Sequence, residues 1–151
     1  MKNNISIHKA TFEDCSQLFS WFNEKDSLKY KIITSKKISF EEHTEWFKIK
    51  LDDSNTFIWI IKDKSGHKIG QIRFQLSKNS FYDVDIYIIK SLRGSGIASK
   101  AMHLAKIKSN VYPLRALVKK NNKKSYFYFV RNGFKIISED KKSWELILDL
   151  T

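Results

Sequence analysis

IYIIKSLRGSGIASKAMHLAKIK, residues 86–108, sets an apolar run against a helix-like run with a glycine-rich elbow between them. Ile86 to Ile89 read as the end of a buried strand, and from Ile97 onward apolar residues recur at helical spacing. A Gly-x-Gly turn that opens a helix gathers several unpaired backbone N–H groups and the positive end of the helix dipole at one point. Phosphate is the natural occupant of such a point. The elbow therefore predicts a phosphate-bearing ligand, and the elements around it must say which one.

Outward from the elbow, TFIWIIKDKSGHKIGQIRFQLS reads as two strands joined by a turn at Ser65 and Gly66, and FYDVDIYII as a third. Before them, ISIHKA alternates as a strand does. TFEDCSQLFSWFNEK spaces Phe12, Cys15, Leu18, Phe19 and Phe22 as an amphipathic helix, capped by Thr11 with Asp14 three residues on. SFEEHTEWFKIKL repeats that logic, with Ser39 as cap, Glu42 at the third helical position, and Phe40, His43, Trp46 and Phe47 on one side. An irregular link joins the two helices. After the elbow come a helix from about Ile97 to Lys108, a strand LRALVK, a helix NKKSYFYFVRNG closed by Gly133, and a final hairpin FKIIS…SWELILDL. The expected order is β-α-α-β-β-β-α-β-α-β-β, an α/β chain with a mostly antiparallel mixed sheet.

At 151 residues and 42% hydrophobic, the chain suits a single domain over residues 1–151 with a core of its own. No apolar run approaches the roughly 20 residues of a membrane helix, and MKNNISIHK lacks the apolar segment of a secretory leader, so a cytoplasmic location and no membrane partner are expected. The lone cysteine, Cys15, has no Cys or His at metal-ligand spacing and reads as a buried thiol; no metal is expected. The formal net charge of +12 attracts anions from a distance. Its lysines are scattered through SKK, KDK, KKNNKK and DKK rather than gathered on one helical face, which argues against nucleic acid.

Three phosphate-cradling elbows compete. A P-loop needs Gly-Lys-Ser/Thr at its end, and Gly96 is followed by Ile97, Ala98 and Ser99. A dinucleotide fingerprint needs a third glycine at Ser99 and further parallel βαβ units that the chain is too short to hold. The third pattern is Arg/Gln-x-x-Gly-x-Gly/Ala, met by Arg93, Gly96 and Ala98 with the extra Gly94, and here the sequence resembles the GNAT family of N-acetyltransferases. A second block, ALVKKNNKKSYFYFVRNGF, resembles that family's strand-Asn-x-x-Ser/Ala-helix-Gly-Phe segment through Asn122, Ser125, Gly133 and Phe134. With the element order, the resemblance covers nearly the whole chain.

The resemblance implies acetyl-CoA as cofactor, lying in a cleft where the fourth and fifth strands splay apart. Its pyrophosphate would meet the backbone of Gly94, Ser95, Gly96, Ile97, Ala98 and Ser99, with the charge of Arg93 nearby and Asn122 and Ser125 on the facing helix. Its pantetheine arm would pair with Ile86, Tyr87 and Ile88 as an added strand. Acetyl transfer to an amine needs a neutral nucleophile, a stabilised oxyanion and a proton for the thiolate. Relatives that use an acid carry a tyrosine where this chain has Phe129, which leaves Tyr126, sharing the Phe129 face, and Tyr128 as candidates. For the base, the fifth strand offers only Leu117 and Val118, so Asp85, Asp83, His43, Glu42 and ordered water stay open. His43 has the near-neutral titration that suits the role.

On the acceptor side, Trp21, Asn23, Ser39, Glu42, His43, Trp46, Gly70, Gln71 and Arg73 resemble a branch that acetylates nucleotide-linked amino deoxysugars in bacterial surface-sugar biosynthesis of the pseudaminic acid type. The branch departs at Tyr30, where arginine is common. An amino-sugar nucleotide calls for cations and stacking faces, and Trp21, Asn23, Tyr30, His43, Trp46 and Arg73 are the candidate contacts. A protein N-acetyltransferase of the ribosomal-protein type would want an acidic or peptide-wide groove. A CoA-binding module without catalysis would tolerate Phe129. The expected partner is a small-molecule acceptor, with a homodimer as the one self-association left open.

Overall fold

The computed structural model of the chain describes residues 4–29 and 37–150. Tyr30 lies outside the described residues. The strands are β1 (Ser6–Lys9), β2 (Thr56–Lys62), β3 (Lys68–Leu76), β4 (Tyr82–Ile88), β5 (Leu114–Lys119), β6 (Lys135–Glu139) and β7 (Ser143–Leu148). The helices are α1 (Cys15–Phe22), α2 (Lys25–Lys29), α3 (Phe40–Leu51), α4 (Ile97–Ser109) and α5 (Lys123–Arg131). Local chemistry sets their ends: the Thr11 N–H donates to Asp14 Oδ2 at 2.9 Å before α1, and Ser39 Oγ accepts from the Glu42 N–H at 3.1 Å to start α3. Gly133, at φ 91°, ends α5 in a left-handed conformation that costs a glycine nothing. The short α2 occupies part of what the sequence presents as an irregular link.

All seven strands join one sheet in the order β1-β2-β3-β4-β5-β7-β6. β1 to β4 are antiparallel neighbours, β4 and β5 run parallel, and β7 inserts between β5 and the edge strand β6. This is the mixed, mostly antiparallel sheet that the sequence predicts; the inversion of the last hairpin, which puts β6 outermost, is not legible from strand patterns. α4 and α5 cover one face, with Ile72, Phe74, Ala101, Met102, Leu114, Ala116, Phe129 and Phe134 buried between. α1 and α3 cover the other face only over β2 to β4, burying Leu18, Trp21, Phe22, Phe47, Ile58, Ile60 and Tyr87. Cys15 is buried there as a free thiol.

β4 and β5 pair only at Tyr82↔Leu114 and Asp83↔Arg115. Beyond Asp83 they diverge, and Val84–Ile88 faces no strand on that side. The closed end is stapled by Arg115, whose Nε donates to Asp83 Oδ1 at 2.6 Å and Nη1 to Glu145 Oε2 on β7 at 3.2 Å. That staple occupies Asp83 and removes it from the candidate bases.

Candidate active site

In an antiparallel ladder, successive residues turn their peptide groups alternately to one neighbour and the other. Ile89 N–H donates to Ile69 on β3 at 2.9 Å, whereas Tyr82 N–H donates toward β5, to Pro113 O at 2.9 Å. The even-numbered residues of β4 therefore point their N–H and C=O groups at β5. Past the staple, Val84 and Ile86 direct both groups, and Ile88 its N–H, into the gap, while the Ile88 carbonyl accepts from Arg93. An extended amide chain laid there would be an added strand.

The gap opens onto the elbow. Gly94 and Gly96 sit at φ 79° and 86°, left-handed values that favour glycine, and Gly96 caps α4. A Cβ built on Gly94 would meet nothing within 4 Å, so the space over the elbow is open. Consecutive backbone N–H groups in such a turn, followed by the first turn of a helix, form a concave anion seat. α5 braces it: Tyr128 donates to the Ala98 carbonyl at 2.8 Å, and Asn132 to Ser99 Oγ at 3.1 Å. Gap and elbow together fit a molecule with an amide-bearing arm and a pyrophosphate.

Several side chains differ from their expected roles. Arg93 does not offer its charge to the elbow: Nε donates to the Ile88 carbonyl at 2.8 Å, Nη1 donates to Asp26 at 3.3 Å, and Nη2 lies 3.9 Å from Glu24. Asn122 is the α5 cap, its Oδ1 accepting from the Ser125 N–H at 3.4 Å. Tyr128 is buried, and burial pushes its hydroxyl far above the ordinary tyrosine range; with its proton on the Ala98 carbonyl it is a brace, not an acid. Tyr126 is half-buried, tilted over Trp144 at 4.2 Å, and its hydroxyl makes no hydrogen bond among the described residues. Phe129 is core.

On the acceptor face, His43 is 0% exposed, its Nε2 donating to the Cys15 carbonyl at 2.9 Å and its ring among Phe19, Phe22, Trp46 and Phe47. A ring sealed this way has no path for proton exchange with an acceptor, which corrects the candidate base. Asn23 is likewise occupied, donating to Phe19 O and accepting from the Ile38 N–H, so it ties the end of α1 to the start of α3. Trp21 is core, stacked on Tyr87 at 5.2 Å. Asp85 is half-buried and receives Gln71 Nε2 on its Oδ2 at 2.8 Å; its other oxygen makes no hydrogen bond among the described residues. Directly across β3, Arg73 lays its guanidinium over Trp46 at 4.9 Å and Phe22 at 5.4 Å, with Nε buried and unbonded among the described residues. Asp85, Arg73 and Trp46 thus lie together beside the splayed strands.

The acetyltransferase (GNAT) domain pattern matches residues 4–135. The chain belongs to the GNAT acetyltransferase family. Among curated proteins it is similar to Acetyltransferase PseH of Campylobacter jejuni (strain 81-176), 27% identical over 151 residues, covering 98% of this chain and 92% of that protein. Among solved structures, spermidine N-acetyltransferase from Vibrio cholerae in complex with CoA and spermine superposes at TM-score 0.83 with 15% identity, covering 97% of this chain and 95% of that one. A domain from Methanocaldococcus jannaschii superposes at 0.80 with 24% identity, covering 97% and 99%. As a GNAT protein the chain is an acetyl-CoA-dependent N-acetyltransferase. No described helix is long and apolar enough to cross a membrane, and no described group of His, Cys, Asp and Glu could hold a metal.

Three contacts at this GNAT site escape sequence reading: Glu24 and Asp26 on Arg93, Gln71 on Asp85, and the Arg115 staple. The Gln71–Asp85 pair had a signal, since the two residues share one face of adjacent strands, diagonal across the ladder. Glu24 and Asp26 had none, because nothing in SWFNEKDS reports a contact 63 or more residues away.

Proposed function

We propose that this enzyme transfers the acetyl group of acetyl-CoA to the 4-amino group of a nucleotide-linked amino deoxysugar. The observation that carries the reading is Arg73 against Trp46: a cation on an aromatic face beside Asp85 offers a diphosphate its charge and a base its stacking plane. Two PseH acetyltransferases from two strains of Campylobacter jejuni, matching 98% and 90% of this chain, support it, as does the resemblance of the acceptor-side residues to the surface-sugar branch.

Acetyl-CoA supplies the activated acetyl thioester. Asp85, oriented by Gln71, takes the proton that the acceptor's ammonium gives up, so that a neutral amine attacks. The Ile88 N–H, facing the gap, stabilises the carbonyl oxygen. Tyr126 gives its hydroxyl proton to the departing sulfur as the C–S bond breaks, in place of the tyrosine that Phe129 replaces. The second proton, shed by the amine nitrogen as the amide forms, passes through solvent to restore the Tyr126 hydroxyl. The whole chain acts as one domain, and the reading assigns the reaction to the cytoplasm.

The test mixes the protein with acetyl-CoA and a panel of amino-sugar nucleotides, peptides and polyamines, and follows thiol release. Release confined to 4-amino deoxysugar nucleotides supports the proposal. Release with peptides would replace it by the ribosomal-protein type, and CoA binding without any release by a non-catalytic module.

A further inference from the structure

One guanidinium joins three parts of this molecule. Arg93 begins the elbow, Asp26 belongs to α2 and Glu24 to the turn before it, and Ile88 ends β4. Arg93 donates to Ile88 O at 2.8 Å and Asp26 at 3.3 Å, approaches Glu24 at 3.9 Å, and lies 5.4 Å from the centre of the Tyr87 ring. Tyr87 closes the circuit by donating its hydroxyl to Glu24 and stacking on Trp21. Burial, and then the Glu24 bond, push that hydroxyl well above the usual tyrosine range, so it stays a donor.

The circuit acts on one peptide group. The peptide after Ile88 is held from both sides, its N–H by the Ile69 carbonyl at 2.9 Å and its C=O by Arg93. The peptide before it is pressed against β3, where a Cβ on Gly70 would lie 2.2 Å from the Tyr87 carbonyl. With both peptides fixed, the Ile88 N–H has one direction, into the gap.

We infer that Glu24 and Asp26 are positioning residues for the cofactor site: they orient Arg93, which fixes the end of β4 and aims the Ile88 N–H at the acetyl carbonyl oxygen. The inference rests on the acetyl-CoA assignment and on no particular acceptor. Arginine is the side chain for this task, because its planar fork donates in three directions from one rigid group, whereas a lysine is a single point of charge. Glu24 and Asp26 are 41% and 48% exposed, so their ion pairs add little to stability and the effect falls on geometry.

Isothermal titration of acetyl-CoA and of CoA into the wild-type protein, the double variant Glu24→Gln/Asp26→Asn, and Arg93→Lys tests this. CoA lacks the acetyl carbonyl, so the ratio of the two affinities reads the contact to that oxygen alone. Both variants are expected to bind acetyl-CoA about three- to tenfold more weakly, the worth of one neutral hydrogen bond. CoA affinity should change less than about twofold, with Tm held within about 2 °C. Equal weakening of both ligands would make Arg93 a phosphate contact, and no change in either would leave the circuit without effect on the site; each result overturns the inference. No acceptor enters the cell, so failure here leaves the amino-sugar reading standing, and failure of that reading leaves this one.

Discussion

Asp85 lies on β4 and Tyr126 on α5, over Trp144 of β7, each with an oxygen that makes no hydrogen bond among the described residues. Removing one proton-transfer group typically lowers a rate about 10²- to 10⁴-fold. Asp85→Asn, which keeps the Gln71 contact within reach, is expected to fall near the top of that range in kcat/KM. Tyr126→Phe should fall less, because a thiolate is a good leaving group, and should act on kcat. Equal effects from both, or wild-type kcat/KM in Asp85→Asn, would remove Asp85 as the base. Tyr128 makes a different prediction. Burial raises its pKa, so between pH 10 and the folded value the unfolded chain releases a proton that the native state keeps. Its contribution is intact below pH 10 and declines above it. Urea unfolding at pH 9 and pH 11 should show a wild-type decline that Tyr128→Phe reduces by roughly 1 kcal/mol.

The elements at the gap were legible where a short motif states its own geometry. Gly94 and Gly96 announce left-handed turns, Ser39 and Glu42 announce a helix start, and the alternation through VDIYII announces a strand. Side-chain roles were less legible, because they depend on which distant element arrives: His43 reads as a base until Phe47 and the Cys15 carbonyl close on it, and Arg93 reads as a phosphate contact until α2 supplies Asp26. At this scale Gly96→Glu should abolish measurable CoA binding, since a side chain and a negative charge would occupy the anion seat; unchanged affinity by titration would sink the cofactor site. Arg115 pins β4 to β5 and β7 at the closed end of the gap, and the Asp83 hydrogen bond and charge hold it in its protonated form. Arg115→Met keeps the apolar stem but leaves Asp83 and Glu145 facing each other. A loss of about 2 kcal/mol is expected, below that of a fully buried pair, with Tm lower by about 4–8 °C and acetyl-CoA KM raised. Wild-type KM in a destabilised variant would show that the staple sets stability alone.

For the molecule as a whole, the net charge of +12 acts on both substrates before either makes contact. With Arg93 held by two carboxylates, the proposed cofactor site would draw a polyanion through the backbone of the elbow and the exposed Lys90, Lys100, Lys123 and Lys124 of the flanking segments. The same field disfavours an ammonium ion near the site and so favours the neutral amine that must attack. An acceptor that carries its own diphosphate is drawn in by this field, while a polyamine is repelled. Salt separates the two, because screening shortens from about 10 Å at 0.1 M to about 3 Å at 1 M. Raising salt from 0.1 to 0.5 M should increase KM several-fold for acetyl-CoA and for a nucleotide-sugar acceptor, with kcat nearly constant. A KM for the acceptor that falls with salt, while that for acetyl-CoA rises, would identify a cationic acceptor and overturn the amino-sugar reading without touching the cofactor site.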